Sequence, residues 1–412
     1  MQISDPEGKE YIDCLSAYSA VNQGHCHPKI VKALCDQAQK LTLSSRAFYS
    51  DKFGEYARYI TQYFGYEMVL PANSGAEAVE TAIKVARKWG YVKKKIPADK
   101  AIILSVAGNF HGRTTGVISM STDPESRTGF GPFLPRVGPI CPGSGGVLEY
   151  GNVEQLRSAF EAHGPEIAGI ILEPIQGEAG IVIPPPGYLR EVQSLCRKHN
   201  ALWIDDEIQT GLGRTGKMMC YEYEGEGVRP DIITLGKALS GGVYPVSAVL
   251  SSKEIMLVIE PGSHGSTFAG NALACSVAMA ALEVIREEDL VRKSYEMGEI
   301  FRRGLTQLQS SLSVPILAAV RGRGLFNAID VDEKHMNGRT AWHLCVFLKE
   351  RGVLCKPTHE TTIRLSPPLT ITEPVLQKVI KTLAYCLENI REYSIAVKVD
   401  SDELHHKTGL EA

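Results

Sequence analysis

Three stretches of this sequence hold residues able to do covalent and acid–base chemistry. In D-I-I-T-L-G-K-A-L-S-G-G, Lys237 follows an apolar run and is flanked by glycine and small residues. In A-L-W-I-D-D-E-I-Q-T-G, Asp206 closes another apolar run, and in N-S-G-A-E the residues Asn73 to Glu77 open a helical period. A lysine amine that burial keeps neutral can attack a carbonyl carbon. A carboxylate aimed at a pyridine nitrogen keeps that nitrogen protonated and makes the ring an electron sink. Free N–H groups at a helix N-terminus hold a phosphate dianion. Each feature alone has a plainer reading. A lysine after a strand usually faces solvent, a polar residue at a strand end usually caps a helix, and N-S-G-A-E serves equally as an N-cap with Glu77 supporting the first turn. Together they match the needs of pyridoxal phosphate.

The elements that must position these residues show as alternating periods. Apolar runs at 101–106, 167–172, 201–204, 231–235 and 246–250 predict strands, and 75–89, 152–163 and 188–199 have the period of helices. In the first helix Ala76, Val79, Ala82, Ile83 and Ala86 share one apolar face. Near-continuous apolar strands between helices predict an α/β fold with a mostly parallel sheet covered on both faces. Asp206 and Lys237 then fall at strand ends, where such folds place ligands. After about residue 285 the texture changes. A charged helical stretch at 287–309, strands near 316–320, 325–331 and 362–365, and helical segments at 341–351 and 373–393 predict a smaller α+β domain. The expected organisation is an N-terminal segment (1–40) packed with the small domain, a large domain (41–285), a small domain (286–396) and a disordered tail (397–412).

Composition narrows the rest. At 412 residues the chain is too long for one compact core. A net charge of −3 and a pI near 6.4 make no electrostatic case for nucleic acid or an anionic membrane. The ten cysteines are scattered without a C-x-x-C pair, which argues against a disulfide framework or a zinc site and for a reducing compartment. His25-Cys26-His27 suits a turn better than a chelate, so no metal is expected. The longest apolar run, 272–282, falls short of the ~20 residues of a spanning helix. The N-terminus lacks the apolar run of a signal peptide, so a cytoplasmic protein is expected, or a mitochondrial matrix one if a presequence precedes it.

The same positions carry a longer resemblance. W-I-D-D-E-I-Q-T-G-L-G-R-T-G, followed by D-I-I-T-L-G-K-A-L-S-G-G-V-Y-P-V-S-A-V, is similar to the signature region of the class III pyridoxal-phosphate-dependent aminotransferases. The match runs from about residue 5 to residue 369, far more specific than a lone glycine motif. S-A-Y-S-A-V-N-Q-G-H-C-H-P and G-N-F-H-G-R-T resemble the ornithine δ-aminotransferases within that class. The resemblance implies fold type I, a large mostly parallel sheet domain with a smaller α+β domain. It implies Lys237 as the Schiff-base lysine and proton shuttle, and Asp206 as the partner of the pyridine nitrogen. Gln209 would donate to the ring's phenolic oxygen, Phe110 would stack on the ring, and Gly75 and Ala76 would offer phosphate-binding amides. Ser266 and Thr267, in H-G-S-T-F-A-G-N, resemble residues that a neighbouring subunit contributes to the phosphate, implying a homodimer with shared sites. Taken alone, that pair could equally cap the helix beginning near Asn271.

For substrates, the resemblance makes Arg364 the binder of the α-carboxylate of 2-oxoglutarate and Glu178 its partner while ornithine is bound. An unmasked arginine would anchor the α-carboxylate of any amino acid and present its α-amine; a carboxylate over it lets a distal amine react instead. Arg113 would hold the distal carboxylate of the oxo-acid and the α-carboxylate of ornithine, and Tyr18 would line the ornithine pocket. Otherwise the arginines would be surface ion pairs and the two aromatics core residues. The implied reaction moves the δ-amino group of ornithine to 2-oxoglutarate, giving glutamate and glutamate 5-semialdehyde, which cyclises to pyrroline-5-carboxylate. Two alternatives stay open. One is another ω-amine donor, such as acetylornithine, 4-aminobutyrate or lysine. The other is a cofactor-binding chain without turnover, because the family carries a preceding segment, with a tyrosine that grips ornithine, which this sequence does not contain. A nucleotide-binding Rossmann protein is poorly supported, since no G-x-G-x-x-G follows an early strand. The segment 140–152 is longer than the family connection and predicts a surface loop.

Overall fold

A strand covered by helices on both faces has no polar side, so each of its positions must be apolar. Ile167–Leu172 meets that condition and is buried from end to end. The computed structural model describes residues 2–394 apart from 46 and 143, so the tail expected at 397–412 lies outside the described residues. In chain order its strands are β1 (Gln2–Ser4), β2 (Glu10–Asp13), β3 (Met68–Ala72), β4 (Ile102–Leu104), β5 (Val137–Gly138), β6 (Ile167–Leu172) and β7 (Leu202–Asp206). Then come β8 (Ile232–Leu235), β9 (Ser247–Ser251), β10 (Leu317–Arg323), β11 (Phe326–Val331), β12 (Val353–Leu354), β13 (Lys356–Thr358) and β14 (Thr362–Leu365).

Seven strands form the large sheet, in the order β3-β9-β8-β7-β6-β4-β5. β5, β4, β6, β7 and β8 run parallel, and β9 opposes both of its neighbours. Five of the seven are the runs expected from the sequence. β3 escapes that reading because Pro71 argues against a central strand, yet an edge strand tolerates it. β5 is two residues long and leaves no periodic signal.

The Gly75–Val92 helix packs on this sheet. Its start is a capping box: Ser74 Oγ accepts from Glu77 N at 3.3 Å, and the Glu77 carboxylate reaches back to the Ser74 and Asn73 amides. Val79, Ala82, Ile83 and Ala86 are buried, whereas Ala76 is only half-buried and turns towards a cavity. The charged stretch expected as one helix is the end of Ala272–Glu287 followed by Leu290–Ser311, with Asp289 in the left-handed region (φ 53°) at the break.

Beyond the large sheet, β10-β11-β14-β13 form an antiparallel sheet, and β1-β2-β12 form a third. β2 runs parallel to β12, so the first strands lie against residues from the far end of the chain. After β2, Ser16, Ala17, Tyr18 and Ser19 all have left-handed backbones, with φ of 54°, 45°, 58° and 73°. Such residues cost L-amino acids roughly 1–2 kcal/mol each. Asp13 offsets part of this by accepting from Leu15 N and Ser16 N, each at 2.8 Å. His25 and His27 pair with different carboxylates, Asp13 and Glu288, and all ten cysteines are free thiols. The 140–152 segment folds back through an Ile140–Val147 bridge, with Leu148 buried.

Arg214 locks these parts together from full burial. It donates to Asn22 Oδ1 at 3.1 and 2.6 Å, to Leu325 O at 3.0 Å and to Pro367 O at 2.6 Å. Burial drives its pKa down to about 9. Arg214→Met is expected to orphan these buried acceptors at about 1–3 kcal/mol each. The melting temperature should fall by several degrees; an unchanged one would show that the clamp carries no stability.

Candidate active site

β7 and β8 are adjacent parallel strands, so Asp206 at the end of one and Lys237 just after the other reach the same C-terminal end of the strands. They face one cavity of about 200 Å³ that Gly75, Ala76, Phe110 and Gln209 also line. Lys237 has a left-handed backbone, φ 41°, at the start of a short 3-10 turn. Burial lowers the pKa of its ammonium, Glu178 opposing that shift and Arg364 adding to it. Among the described residues no protein group accepts a hydrogen bond from its Nζ.

Asp206 is held on both oxygens. Oδ1 accepts from Ile208 N and Thr234 Oγ1, each at 3.1 Å, and Oδ2 lies 2.6 Å from His111 Nδ1. His111 Nε2 is buried with no partner among the described residues. Beside them Glu173 accepts from Phe110 N at 3.0 Å and from Gly177 N at 3.1 Å. Burial pushes the Glu173 carboxyl up to about 7, with His111 opposing and Asp206 adding. Sequence reasoning singled out neither residue. For His111 the signal was its place between Phe110 and Arg113, two residues that were singled out. For Glu173 it was a lone acid closing the apolar run of β6.

The cavity exists because side chains are absent around it. A Cβ on Gly112 (φ 130°) would stand 2.8 Å from Ala76 Cβ, and one on Gly75 would stand 3.1 Å from Ile208 Cδ1. A Cβ on Gly177 would come within 2.5 Å of Gln209 Oε1.

On the substrate side, fully buried Arg364 places Nη1 2.6 Å from Glu178 Oε1 and donates through Nη2 to Gln209 Oε1. Gln209 Nε2 in turn donates to Glu178 Oε1 at 3.3 Å. Burial alone would raise the Glu178 pKa, but Arg364 and then Lys237 outweigh it and hold the carboxyl below its ordinary value. The Gln209 amide, expected at the ring's phenolic oxygen, is thus engaged by this arginine–carboxylate pair. Tyr18 stands outside the cavity, its ring 5.4 Å from Arg364 Cζ. Arg113 is exposed, its guanidinium 5.5 Å from the Phe110 ring. Ser266 Oγ accepts from Asn73 Nδ2 of the same chain at 2.9 Å, Thr267 is exposed, and neither lines the cavity. Nor do they cap the following helix, because Asn271 does so through Ala274 N.

Residues 1–387 match the family model of the class-III aminotransferases. The chain belongs to that family. It is 59% identical over 389 residues to an ornithine aminotransferase of Schizosaccharomyces pombe, spanning 94% of this chain and 87% of that one. The ornithine aminotransferase of Saccharomyces cerevisiae is 57% identical over 386 residues, spanning 93% and 90% of the two chains. Among solved structures, the ornithine aminotransferase of Toxoplasma gondii, with pyridoxal phosphate at partial occupancy in its active site, has a TM-score of 0.89 at 41% identity. That match covers 95% of this chain and 89% of the other. An acetylornithine aminotransferase of Elizabethkingia anophelis has a TM-score of 0.82 at 48% identity, covering 95% and 92%. As a class-III aminotransferase the chain is a pyridoxal-phosphate-dependent enzyme. Its cavity suits that group: an unpartnered amine, a fixed carboxylate and a capped helix N-terminus converge on it. Among the described residues no helix is long and apolar enough to cross a membrane.

Proposed function

We propose that this aminotransferase moves the δ-amino group of ornithine to 2-oxoglutarate, and that the contact carrying this reading is Glu178 on Arg364, 2.6 Å apart. Bound pyridoxal phosphate supplies a ring that takes up the charge left when a neighbouring carbon is deprotonated. Lys237 would hold it covalently, Asp206 would face its ring nitrogen, Phe110 would cover its face, and the Gly75 and Ala76 amides would bind its phosphate. Gln209 lies close enough to serve the phenolic oxygen if its amide leaves Arg364.

Lys237 does the proton work. Its lowered pKa makes the neutral amine available, so it can take a proton from the amine-bearing carbon and return it one position away. Glu178 decides which amine arrives there. While it covers Arg364, an incoming α-carboxylate finds no anchor beside Lys237, and ornithine enters by its distal amine. Arg113 then faces the α-carboxylate. When 2-oxoglutarate enters, Glu178 leaves, Arg364 takes the α-carboxylate and Arg113 the distal one. Glu178 is the partner free to move, since its side chain is 27% exposed and that of Arg364 is fully buried.

Glu178→Ala is the sharp test. It leaves a buried guanidinium unpaired, a penalty of about 3–5 kcal/mol that an α-carboxylate relieves. The preference for ornithine over glutamate as donor is expected to fall by roughly 100-fold or more. An unchanged donor ratio would remove the switch from the mechanism. A direct test of the whole reading is the visible spectrum of the cofactor-loaded protein. Ornithine should change the cofactor band and 2-oxoglutarate restore it; a band that ornithine leaves untouched overturns the donor.

A second reading, a donor whose α-amine is acetylated, draws on the likeness to the acetylornithine enzyme. A comparison of ornithine with its Nα-acetyl derivative decides between them. The working unit we propose is a homodimer with shared sites, Ser266 and Thr267 reaching the partner's phosphate. Phe48 and Tyr49, large apolar groups exposed around one surface pocket, support it. We further propose the division into residues 41–285 and 286–396, with 1–40 packed on the latter, as the chain's domains.

A further inference from the structure

Lys356 and Arg364 are directly opposite residues of the β13–β14 pairing, so their side chains leave the same face of the sheet. Tyr18 is in reach of both cations. Its ring centroid is 5.4 Å from Arg364 Cζ and 5.6 Å from Lys356 Nζ, and Lys356 Nζ donates to Tyr18 Oη at 3.2 Å. The two charges are treated differently. Glu178 answers Arg364, whereas Lys356 is exposed and has no ion-pair partner among the described residues.

The hydrogen bond sets what this pair can offer a ligand. The Tyr18 hydroxyl accepts from the ammonium and keeps its own proton to donate; the ammonium keeps two further N–H groups. One O–H and a cation side by side are a carboxylate-binding arrangement. Its position is built in: the left-handed turn of Ser16 to Ser19 aims Tyr18, and Ser16 Oγ donates to Ser366 O at 2.7 Å, two residues beyond Arg364. Backbone strain of this kind persists where the surroundings fix it and marks working sites.

We propose that Lys356, with the Tyr18 hydroxyl, is a second anchor for the α-carboxylate of the donor, beside Arg113, and so determines donor specificity. This rests on the reading that ornithine enters by its distal amine. With Arg364 masked, the donor's carboxylate must find a cation further from Lys237. Lys356 is on β13, the sheet's end strand next to that of Arg364, with neighbouring strands spaced about 4.8 Å apart.

The test compares ornithine with 1,4-diaminobutane, the same carbon chain without the carboxylate, as substrate or as competitive inhibitor of the cofactor-loaded enzyme. In Lys356→Met the KM for ornithine is expected to rise about tenfold or more, as for loss of a charge-assisted contact, with kcat nearly unchanged. Diaminobutane should bind as well as before or better. Lys356→Arg should restore most of the affinity for ornithine, and adding Tyr18→Phe to Lys356→Met should cost less than the sum of the two singles. Equal weakening of both ligands would make Lys356 a structural support and overturn the proposal, as would an unchanged KM for ornithine. If the wild-type enzyme takes acetylornithine but not ornithine, the donor reading itself fails, an outcome distinct from any behaviour of the variant.

Discussion

Lys237→Ala is expected to lower turnover by at least roughly 10⁴-fold, because it removes both the covalent tether and the base. Of the other titratable groups lining the cavity, Glu173 is engaged by the Phe110 and Gly177 amides and Asp206 by His111. Arg364 is committed to Glu178 and Gln209, and His111 Nδ1 is committed to Asp206. The variant should still fold, since Nζ makes no protein hydrogen bond among the described residues whose loss would unsettle the core. Alanine at φ 41° keeps the backbone strain already present, so the melting temperature is the control. The cofactor would remain held by its phosphate and ring contacts alone, and its visible band should shift to that of the free aldehyde. Attachment of the cofactor to the apoprotein should quicken with pH as the free ammonium loses its proton, at a pH below the ordinary lysine range because burial has lowered its pKa. Transamination that survives in Lys237→Ala would sink the assignment of this lysine.

How much of this was legible beforehand follows from how local each feature is. Asp206 and Lys237 could be found because buried parallel strands are written as unbroken apolar runs, and a charged residue ending such a run stands out. The helix start at Asn73 to Glu77 was legible because a capping box is closed within five residues. The pairing of Asp206 with His111 joins residues 95 positions apart, and nothing in the spacing announces it. Glu173 reaches Phe110 N across 63 positions, again with no local signal. Its neighbours P-I-Q-G-E drew notice only for Glu178. The left-handed turn at Tyr18 was hidden for another reason. Glycine, asparagine and aspartate advertise such backbone, and S-A-Y-S contains none of them. Lys356 was missed because its significance lies in the cross-strand register with Arg364, and the strand carrying it, KPT, is three residues long and contains a proline. Local chemistry was therefore readable, and the partners that orient it were not.

Asp206→Asn should separate the electronic role of this carboxylate from its structural one. The substitution keeps size and an oxygen for Ile208 N and Thr234 Oγ1, and its amide can donate to His111 Nδ1 once that ring takes its other tautomer. It removes the negative charge that would stabilise a protonated ring nitrogen. Losing one preorganised electrostatic contact in a water-excluded site costs about 10²–10³ in kcat. The covalent attachment through Lys237 should survive, so the cofactor band should remain while turnover falls, the reverse of the spectral outcome for Lys237→Ala. Asp206→Ala is the harsher change, because it strands His111 in a fully buried site and is expected to add a loss of stability. If Asp206→Asn turned over at the wild-type rate, the carboxylate would be a support for His111. A group other than Asp206 would then have to face the ring nitrogen, and His111, whose Nε2 is buried without a partner among the described residues, would be the first to examine.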